Sequence, residues 1–384
     1  MQKFFRRFGG WVLRGKLRRL LPLCMLPLLL AGVCGLPDWA GAGKGSPRGS
    51  LRVLSWNVQT LFDGEQVGNE YTDYLNEAGW AEEKYSARIS SISRAIEQID
   101  GGPPDVLALM EIENLQCLKD LARGELARYG YNWAYFAGNK GMSQGLGVLS
   151  RIPITEVRLH GMVWDQETVP RPVLEVWLRP EDAPLVLFVC HWKSKLGGED
   201  ETETLRRASA RIILRRIREI RAVRPDVPAV IMGDLNENHD DFYRREGKIL
   251  SALLPDDPAA ADIINADFTG AGNRDSYLVL SGEKPPMAAN FDAAMPAFYS
   301  PWGQEMRNGS YYYKNNWETI DHFLLTEQFF DEAGWDFSGC RVLAEEPFIN
   351  SKGTPNRYNP RSGYGLSDHL PLMLELTNFT KPTD

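Results

Sequence analysis

Apolar residues in this chain fall in short runs separated by amphipathic stretches, and the period of each run predicts an element. Leu51 to Val58 alternates apolar and polar positions and predicts a first strand, followed by a polar loop to about Gly79. From Trp80 to Ile99, the residues Tyr85, Ile89, Ile92, Ile96 and Ile99 recur at helical spacing, and Pro103-Pro104 closes the unit. Asp105 to Ile112 predicts a buried strand and Asn114 to Arg128 a second helix. Successive strands are expected at Gly145 to Ser150, Thr155 to Val163, Val173 to Leu178 and Leu185 to His191. A long helix over Glu201 to Arg224, a short strand over Ala229 to Met232 and a third helix over Asp240 to Leu254 follow. Asp256 to Asn316 has weak periodicity and predicts an elaborated surface region. Strands at Glu318 to Leu325 and Leu370 to Leu376, with a short one near Cys340, complete the chain. Antiparallel-looking strand runs interleaved with helices predict an α/β fold of two mixed sheets packed face to face, with the helices outside.

Several of these strands end in side chains suited to metal binding or proton transfer. Glu111 closes the apolar run Val106 to Met110, where an unpaired carboxylate is costly and a cation is the natural partner. Glu113, two residues on, reads as a helix N-terminal carboxylate. His191 closes Leu187 to Cys190 and precedes Lys193 and Lys195, which have the reach for a phosphate. Asp234 and Asn236 follow Val230 to Met232 through Gly233, so both can point one way and hold a water against a phosphate; ordinary turn chemistry is the competing reading. Asp368-His369 places a hard oxygen ligand beside an imidazole, with Asp321 as a partner for one ring nitrogen. His160, His239 and His322 read as surface or packing residues. The Glu201 to Arg224 helix carries eight arginines whose default reading is a solvated face paired with acids, although Arg206 and Arg207 lie close enough behind the His191 strand to reach a phosphate chain.

The 384-residue chain carries a net charge of −8, but its first 42 residues hold seven Lys or Arg against one Asp, so the remainder is at about −14. An acidic body approaches a polyanion only through metal ions and local basic patches. The basic N-terminal residues precede an uncharged apolar run from Leu20 to Leu36, the layout of an export signal or short anchor. Ala40-Gly41-Ala42 has the form of a signal-peptidase site, whereas Leu30-Ala31-Gly32-Val33-Cys34 has that of a lipoprotein box. The expected organisation is export segment 1–42, linker 43–50, catalytic domain 51–378 and tail 379–384. Cys117, Cys190 and Cys340, the only cysteines of the body, form no disulfide framework or zinc spacing and read as packing residues.

Taken in order, Ser55-Trp56-Asn57, Met110-Glu111-Ile112-Glu113-Asn114, Cys190-His191-Trp192-Lys193-Ser194, Gly233-Asp234-Leu235-Asn236, Thr319-Ile320-Asp321-His322 and Ser367-Asp368-His369-Leu370-Pro371 resemble the endonuclease/exonuclease/phosphatase superfamily over about Leu51 to Leu376. His191 to Lys195 with Gly197-Gly198-Glu199, and Tyr311-Tyr312-Tyr313 before Trp317, look most like bacterial exported nuclease-like members. The resemblance implies a four-layer, deoxyribonuclease-like α/β sandwich. It implies a metal site of Asn57, Glu111 and Asp368, holding Mg²⁺ or Mn²⁺ with Ca²⁺ as a further candidate. Asp234 then activates the attacking water, Asn236 holds it, His191 and His369 contact the scissile phosphate, and Asp321 orients His369. Arg171, at a strand start, is placed facing phosphate with Lys193, Arg206 and Arg207. The expected activity is an exported, metal-dependent endonuclease on DNA or RNA, secreted, periplasmic or membrane-anchored, acting as a monomer on nucleic acid without an obligate protein partner. The alternatives are a phosphoesterase on lipid headgroups or inositol phosphates, for which Phe298-Tyr299-Ser300-Pro301-Trp302 would supply an aromatic loop, and a non-catalytic surface protein of the same fold.

Overall fold

Strands buried on both faces and helices apolar on one side dictate a layered packing. The computed structural model describes residues 49–379 apart from 140, 162, 165–166, 169–170, 248–250, 267–273, 287, 291 and 307, so the export segment and most of the linker and tail lie outside the described residues. In chain order the first half runs β1 (Ser50–Leu61), α1 (Glu82–Glu97), β2 (Val106–Ile112), α2 (Leu115–Arg123), β3 (Trp133–Ala137), β4 (Gly145–Ser150) and β5 (Ile154–His160). A small hairpin, β6 (Val163–Trp164) and β7 (Glu167–Thr168), leads to β8 (Val173–Leu178), β9 (Leu185–His191), α3 (Glu199–Val223) and β10 (Ala229–Asp234). Then come α4 (Asp241–Arg244), β11 (Leu253–Pro255), α5 (Pro258–Ala266), β12 (Leu278–Ser281), β13 (Ala288–Ala289) and β14 (Asp292–Tyr299). The hairpin β15 (Tyr311–Tyr313) and β16 (Asn316–Glu318) precedes β17 (Asp321–Leu325), β18 (Trp335–Val342) and β19 (Leu372–Asn378).

Two mixed sheets result. One has the order β18-β19-β1-β2-β4-β3, the other β11-β12-β14-β17-β10-β9-β8-β5 with β13 alongside β14. Alternation along each strand assigns its side chains to layers. Leu51 and Val53 of β1, Ala108 and Met110 of β2, Leu187 and Val189 of β9 and Val230 and Met232 of β10 meet in the core between the sheets. The opposite face of the first sheet, Leu54, Trp56, Leu107 and Leu109, packs on Ile89, Ile92 and Ile96 of α1 and Leu118 and Leu121 of α2. Phe188 and Ile231 on the outer face of the second sheet pack on Ile213, Ile217 and Ile220 of α3. The expected two-sheet α/β sandwich is therefore the observed one.

The departures have local causes. The predicted helix over Asp240 to Leu254 is reduced to the single turn of α4 before β11, because Leu253 and Leu254 pair with Leu278 and Val279 of β12. The region expected to elaborate the surface instead supplies β12 and β14, so Phe298, Tyr299 and Trp302 are core residues and offer no exposed aromatic loop. Helix α2 is capped by Asn114, whose side chain accepts from the N–H groups of Gln116 and Cys117. Glu113 turns away and accepts from the N–H of Asp63 at 2.7 Å, and burial pushes it up to about 7. All three body cysteines are buried free thiols. Among the described residues no helix is long and apolar enough to cross a membrane.

Candidate active site

Strand direction gathers the chemistry at one end of the sandwich. β1 and β2 are parallel in the first sheet and β9 and β10 in the second, so Asn57, Glu111, His191 and Asp234 all lie at or near C-terminal strand ends. β17 and β19 run antiparallel to these neighbours, which brings Asp321 at the start of one and Asp368-His369 just before the other to the same end. In register, Asp234 faces His191 on one side and Asp321 on the other.

The backbone is bent there to aim the side chains. Glu111 is the bulged residue of β2, where the register shifts against both β1 and β4, and it adopts φ 65°. Gln59 and Thr60 (φ 52° and 50°) and Asn236 (φ 56°) also occupy the left-handed region. Such strain clusters where surrounding contacts over-determine the conformation. Here the Thr60 N–H donates to Glu111 Oε2 at 2.8 Å, and the Asn236 N–H donates to Asp234 Oδ1 at 3.0 Å. Gly233, at φ 122°, is required because a Cβ would lie 2.0 Å from the Cys190 carbonyl oxygen.

The carboxylates and imidazoles converge. Asn57 Nδ2 donates to Glu111 Oε1 and to Asp234 Oδ2, each at 3.1 Å. His191 Nε2 lies 3.5 Å from Asp234 Oδ2 and 3.8 Å from Glu111 Oε1, and His369 Nε2 lies 3.9 Å from Asp234 Oδ2. His369 Nδ1 donates to Asp321 Oδ2 at 2.8 Å, and Ser310 Oγ donates to the same oxygen at 2.6 Å. The Tyr311 ring packs on the His369 ring with centroids 4.5 Å apart.

These surroundings separate the two imidazoles. Burial, reinforced by the charges of Arg171 and His369, holds His191 well below the ordinary histidine value, so its ring is neutral. Burial pulls His369 down too, but Asp321, then Asp234 and Asp368, outweigh it and raise the ring to about 10, making it an imidazolium. Burial raises Asp234 to about 7, with His369 opposing and Asp321 adding to the rise. A neutral ring, a cationic ring and a carboxylate thus share one centre.

Glu111, Asp368 and their surroundings fit a divalent cation. Burial lifts the Asp368 carboxyl above its usual range, His369 opposes this, and Glu111 adds like-charge repulsion that a bound cation would relieve. Asn57, the third expected ligand, stands beside them: its NH₂ group donates to both Glu111 and Asp234 and its Oδ1 accepts from Gln59 N–H at 3.0 Å, which orients the two carboxylates in this structure. Ligand atoms of Asp234, Asp321 and His369 also come within 4.8 Å of one another. Two of those three are bonded to each other, which makes this group a hydrogen-bonded dyad beside a carboxylate.

The basic residues divide. Arg171 stands at the site, its charge acting on Asp234 and His191 while its Nη1 donates to the Trp192 carbonyl at 2.9 Å, the same oxygen that accepts from Asn236 Nδ2 at 3.1 Å. Lys193 is turned into its own loop, donating to the carbonyls of Ser194 and Leu196. Arg206 is fully buried and committed to Glu203, Glu237, Thr202 and the Glu199 and Lys193 carbonyls, so it braces the loop after His191 and cannot meet a substrate. Arg207 points elsewhere, over the Tyr277 ring at 4.5 Å. Elsewhere on α3 Arg216, Arg218 and Arg221 follow the default reading, paired to Glu175, Asp275 and Glu327, while Arg211 donates to Ser276 Oγ at 2.9 Å and Arg224, at the C-terminal end, lies over the Trp177 ring. Residues without a sequence signal also support the site. The clearest is Arg88, a buried guanidinium in α1 that donates to the Val58, Gln59 and Gly365 carbonyls and stacks 3.7 Å from the Tyr358 ring.

The profile of the Endonuclease/Exonuclease/phosphatase family matches residues 52–269. The chain belongs to that family. Membership makes the protein a metal-dependent phosphoesterase. The structure is similar to that of a humanized D. rerio TDP2 carrying 14 mutations, at TM-score 0.50 and 14% identity over 85% of this chain and 98% of that one. It is also similar to an endonuclease/exonuclease/phosphatase family protein from Bacteroides thetaiotaomicron (TM-score 0.48, 16% identity, 85% and 95% covered). The human Nocturnin catalytic domain with bound sulfate gives TM-score 0.48 at 14% identity, with 86% and 94% covered. No curated protein sequence matches the chain.

Proposed function

We propose that this phosphoesterase is an endonuclease that cleaves DNA by in-line attack of water, using Mg²⁺ or Mn²⁺ and working outside the cytoplasm. The observation that carries the reading is the placement of a neutral His191 and a cationic His369 on either side of Asp234, next to the Glu111 and Asp368 carboxylates. A phosphodiester requires little covalent work from a protein; it requires a positioned water and donors around the non-bridging oxygens. Asp234 Oδ2 accepts the proton of the attacking water, while Asn236 and Asn57 hold the carboxylate in orientation. His191 Nε2 and His369 Nε2 donate to the phosphate oxygens, with Asp321 fixing the His369 ring. The Glu111 and Asp368 oxygens would hold the ion, which when bound supplies charge neutralisation for the developing oxyanion. Export is supported by the basic-then-apolar N-terminal segment.

The test is hydrolysis by the purified protein with Mg²⁺, Mn²⁺ or EDTA on plasmid DNA, single-stranded DNA, RNA, sphingomyelin and inositol phosphates. Metal-dependent nicking is expected, falling by about 10²- to 10⁴-fold in Asp234→Ala with the fold retained. Cleavage of only the lipid or inositol substrates would overturn the nuclease reading and leave the metal phosphoesterase in place. Near wild-type turnover in Asp234→Ala would sink the mechanism.

A further inference from the structure

Beside the catalytic centre lies a groove of about 590 Å³ bordered by Thr60, Tyr71, Asp73, Arg357 and Arg361. It adjoins the metal carboxylates through two of its walls. The N–H of Thr60 holds Glu111, and Arg357 Nη2 stands 3.8 Å from Asp368 Oδ2. Arg357 and Arg361 are 71% and 81% exposed, in an otherwise acidic body. Tyr71, which also lines the groove, is 47% exposed, and its ring hydroxyl donates to Gln144.

This groove is a built surface. The 356–366 segment that carries both arginines is pinned from below. Gln59 exchanges hydrogen bonds with the backbone of Tyr358 (3.1 and 3.0 Å), the buried Arg88 stacks on the Tyr358 ring, and Lys84 Nζ donates to the Pro360 and Arg361 carbonyls at 3.1 and 3.2 Å. Gly365 at φ 96° closes the segment so tightly that a Cβ would lie 2.1 Å from the Arg357 carbonyl oxygen. A rigid floor holding guanidinium groups in solvent, next to an aromatic face, suits a ligand with repeated phosphates and flat rings.

We infer that this groove is a binding subsite for single-stranded nucleic acid flanking the scissile phosphate, in which Arg357 and Arg361 contact successive backbone phosphates and Tyr71 stacks a base. The inference rests on the nuclease reading and deepens it. It accounts for how an acidic protein holds a polyanion: on α3 Arg206, Arg216, Arg218 and Arg221 are paired with acids, whereas Arg357 and Arg361, with carboxylates at 3.8 Å (Asp368) and 3.4 Å (Asp73), keep their guanidinium groups largely in solvent beside the catalytic centre.

The test separates binding from cleavage. Fluorescein-labelled (dT)₂₀ is titrated onto the full chain carrying Asp234→Asn, with Mg²⁺, over a range of KCl concentrations. The comparison is the same chain with Arg357→Ala and Arg361→Ala added. Each phosphate contact removed lowers the slope of log affinity against log salt by about 0.7, so the slope should fall by about 1.4. Arg→Lys at both positions should restore it, and Tyr71→Ala should weaken binding about ten-fold without changing it. Both arginines are on the surface, so folding is checked by an unchanged melting temperature. An unaltered slope overturns the groove while leaving nuclease activity, measured separately on the Asp234 chain, as it stands. A reduced slope with no cleavage by the Asp234 chain retains the groove and overturns the nuclease reading. Failure to bind (dT)₂₀, with arginine-dependent binding of phosphatidylserine vesicles instead, replaces the strand by a membrane and overturns the inference.

Discussion

Glu175 tests whether the second sheet and α3 are locked together behind His191. It sits in the middle of β8, one strand from β9, with its side chain fully buried on the α3 side. Arg216 Nε and Nη2 donate to its two oxygens at 2.7 and 3.0 Å, Trp177 Nε1 donates at 2.6 Å, and His160 Nε2 lies at 2.6 Å. Burial alone would raise this carboxyl, but the His160, Arg216 and Trp177 hydrogen bonds prevail and hold it at about 2 against an ordinary 4.5. That depression corresponds to about 3 kcal/mol of native-state stability when the carboxylate is ionised in both states. The figure agrees with the roughly 3–5 kcal/mol lost when one member of a buried ion pair is removed. Because the folded value is the lower one, the contribution is complete above pH 4.5 and drains away as pH falls towards 2. Glu175→Gln should therefore be about 3 kcal/mol less stable at pH 7 by urea unfolding, with a melting temperature lower by roughly 4 °C. At pH 3 the difference should shrink to about half or less. A loss below about 1 kcal/mol at pH 7, or a difference that stays constant from pH 7 to pH 3, would refute the reasoning.

Two further outcomes follow from the site. In metal-free protein, NMR of the imidazole nitrogens should find His369 still protonated at pH 8 and His191 neutral at pH 6, and Asp321→Asn should lower the His369 value while reducing turnover. Since the His369 folded value of about 10 exceeds its ordinary 6.5, its stabilisation is complete below 6.5 and is lost as pH rises through 10. Gly233→Ala should cost about 2–4 kcal/mol, read by thermal unfolding, because the added Cβ meets backbone that no rotamer change can relieve; a variant as stable as the parent would show that β9 and β10 can part to admit the methyl group.

The strand-end residues are legible in the sequence alone because a polar group bounding an apolar run has few structural roles; Glu111, His191 and Asp234 close such runs and Asp368-His369 opens one. Their convergence follows from strand direction, since parallel strands bring their C-terminal ends to one side. The arginines are not legible in this way. Helical periodicity places Arg206 behind the His191 strand, but its engagement depends on Glu237, 31 residues away, which the turn after β10 folds beneath it. The aromatic run Phe298 to Trp302 reads as a surface loop until β12 and β17 flank it.

Periodicity and turn chemistry thus set the elements, the layer each face joins and which residue types stand at the strand ends. These are local properties, written within about ten residues. Pairing across the sheets was decided by the tertiary structure alone. It made Arg206 a brace and left Arg357 and Arg361 in solvent, turned the Asn57 amide onto two carboxylates, and set Asp321 against His369. The physical reason is that an ionisable side chain takes its charge and its role from the groups around it when water is excluded, and those groups come from distant parts of the chain.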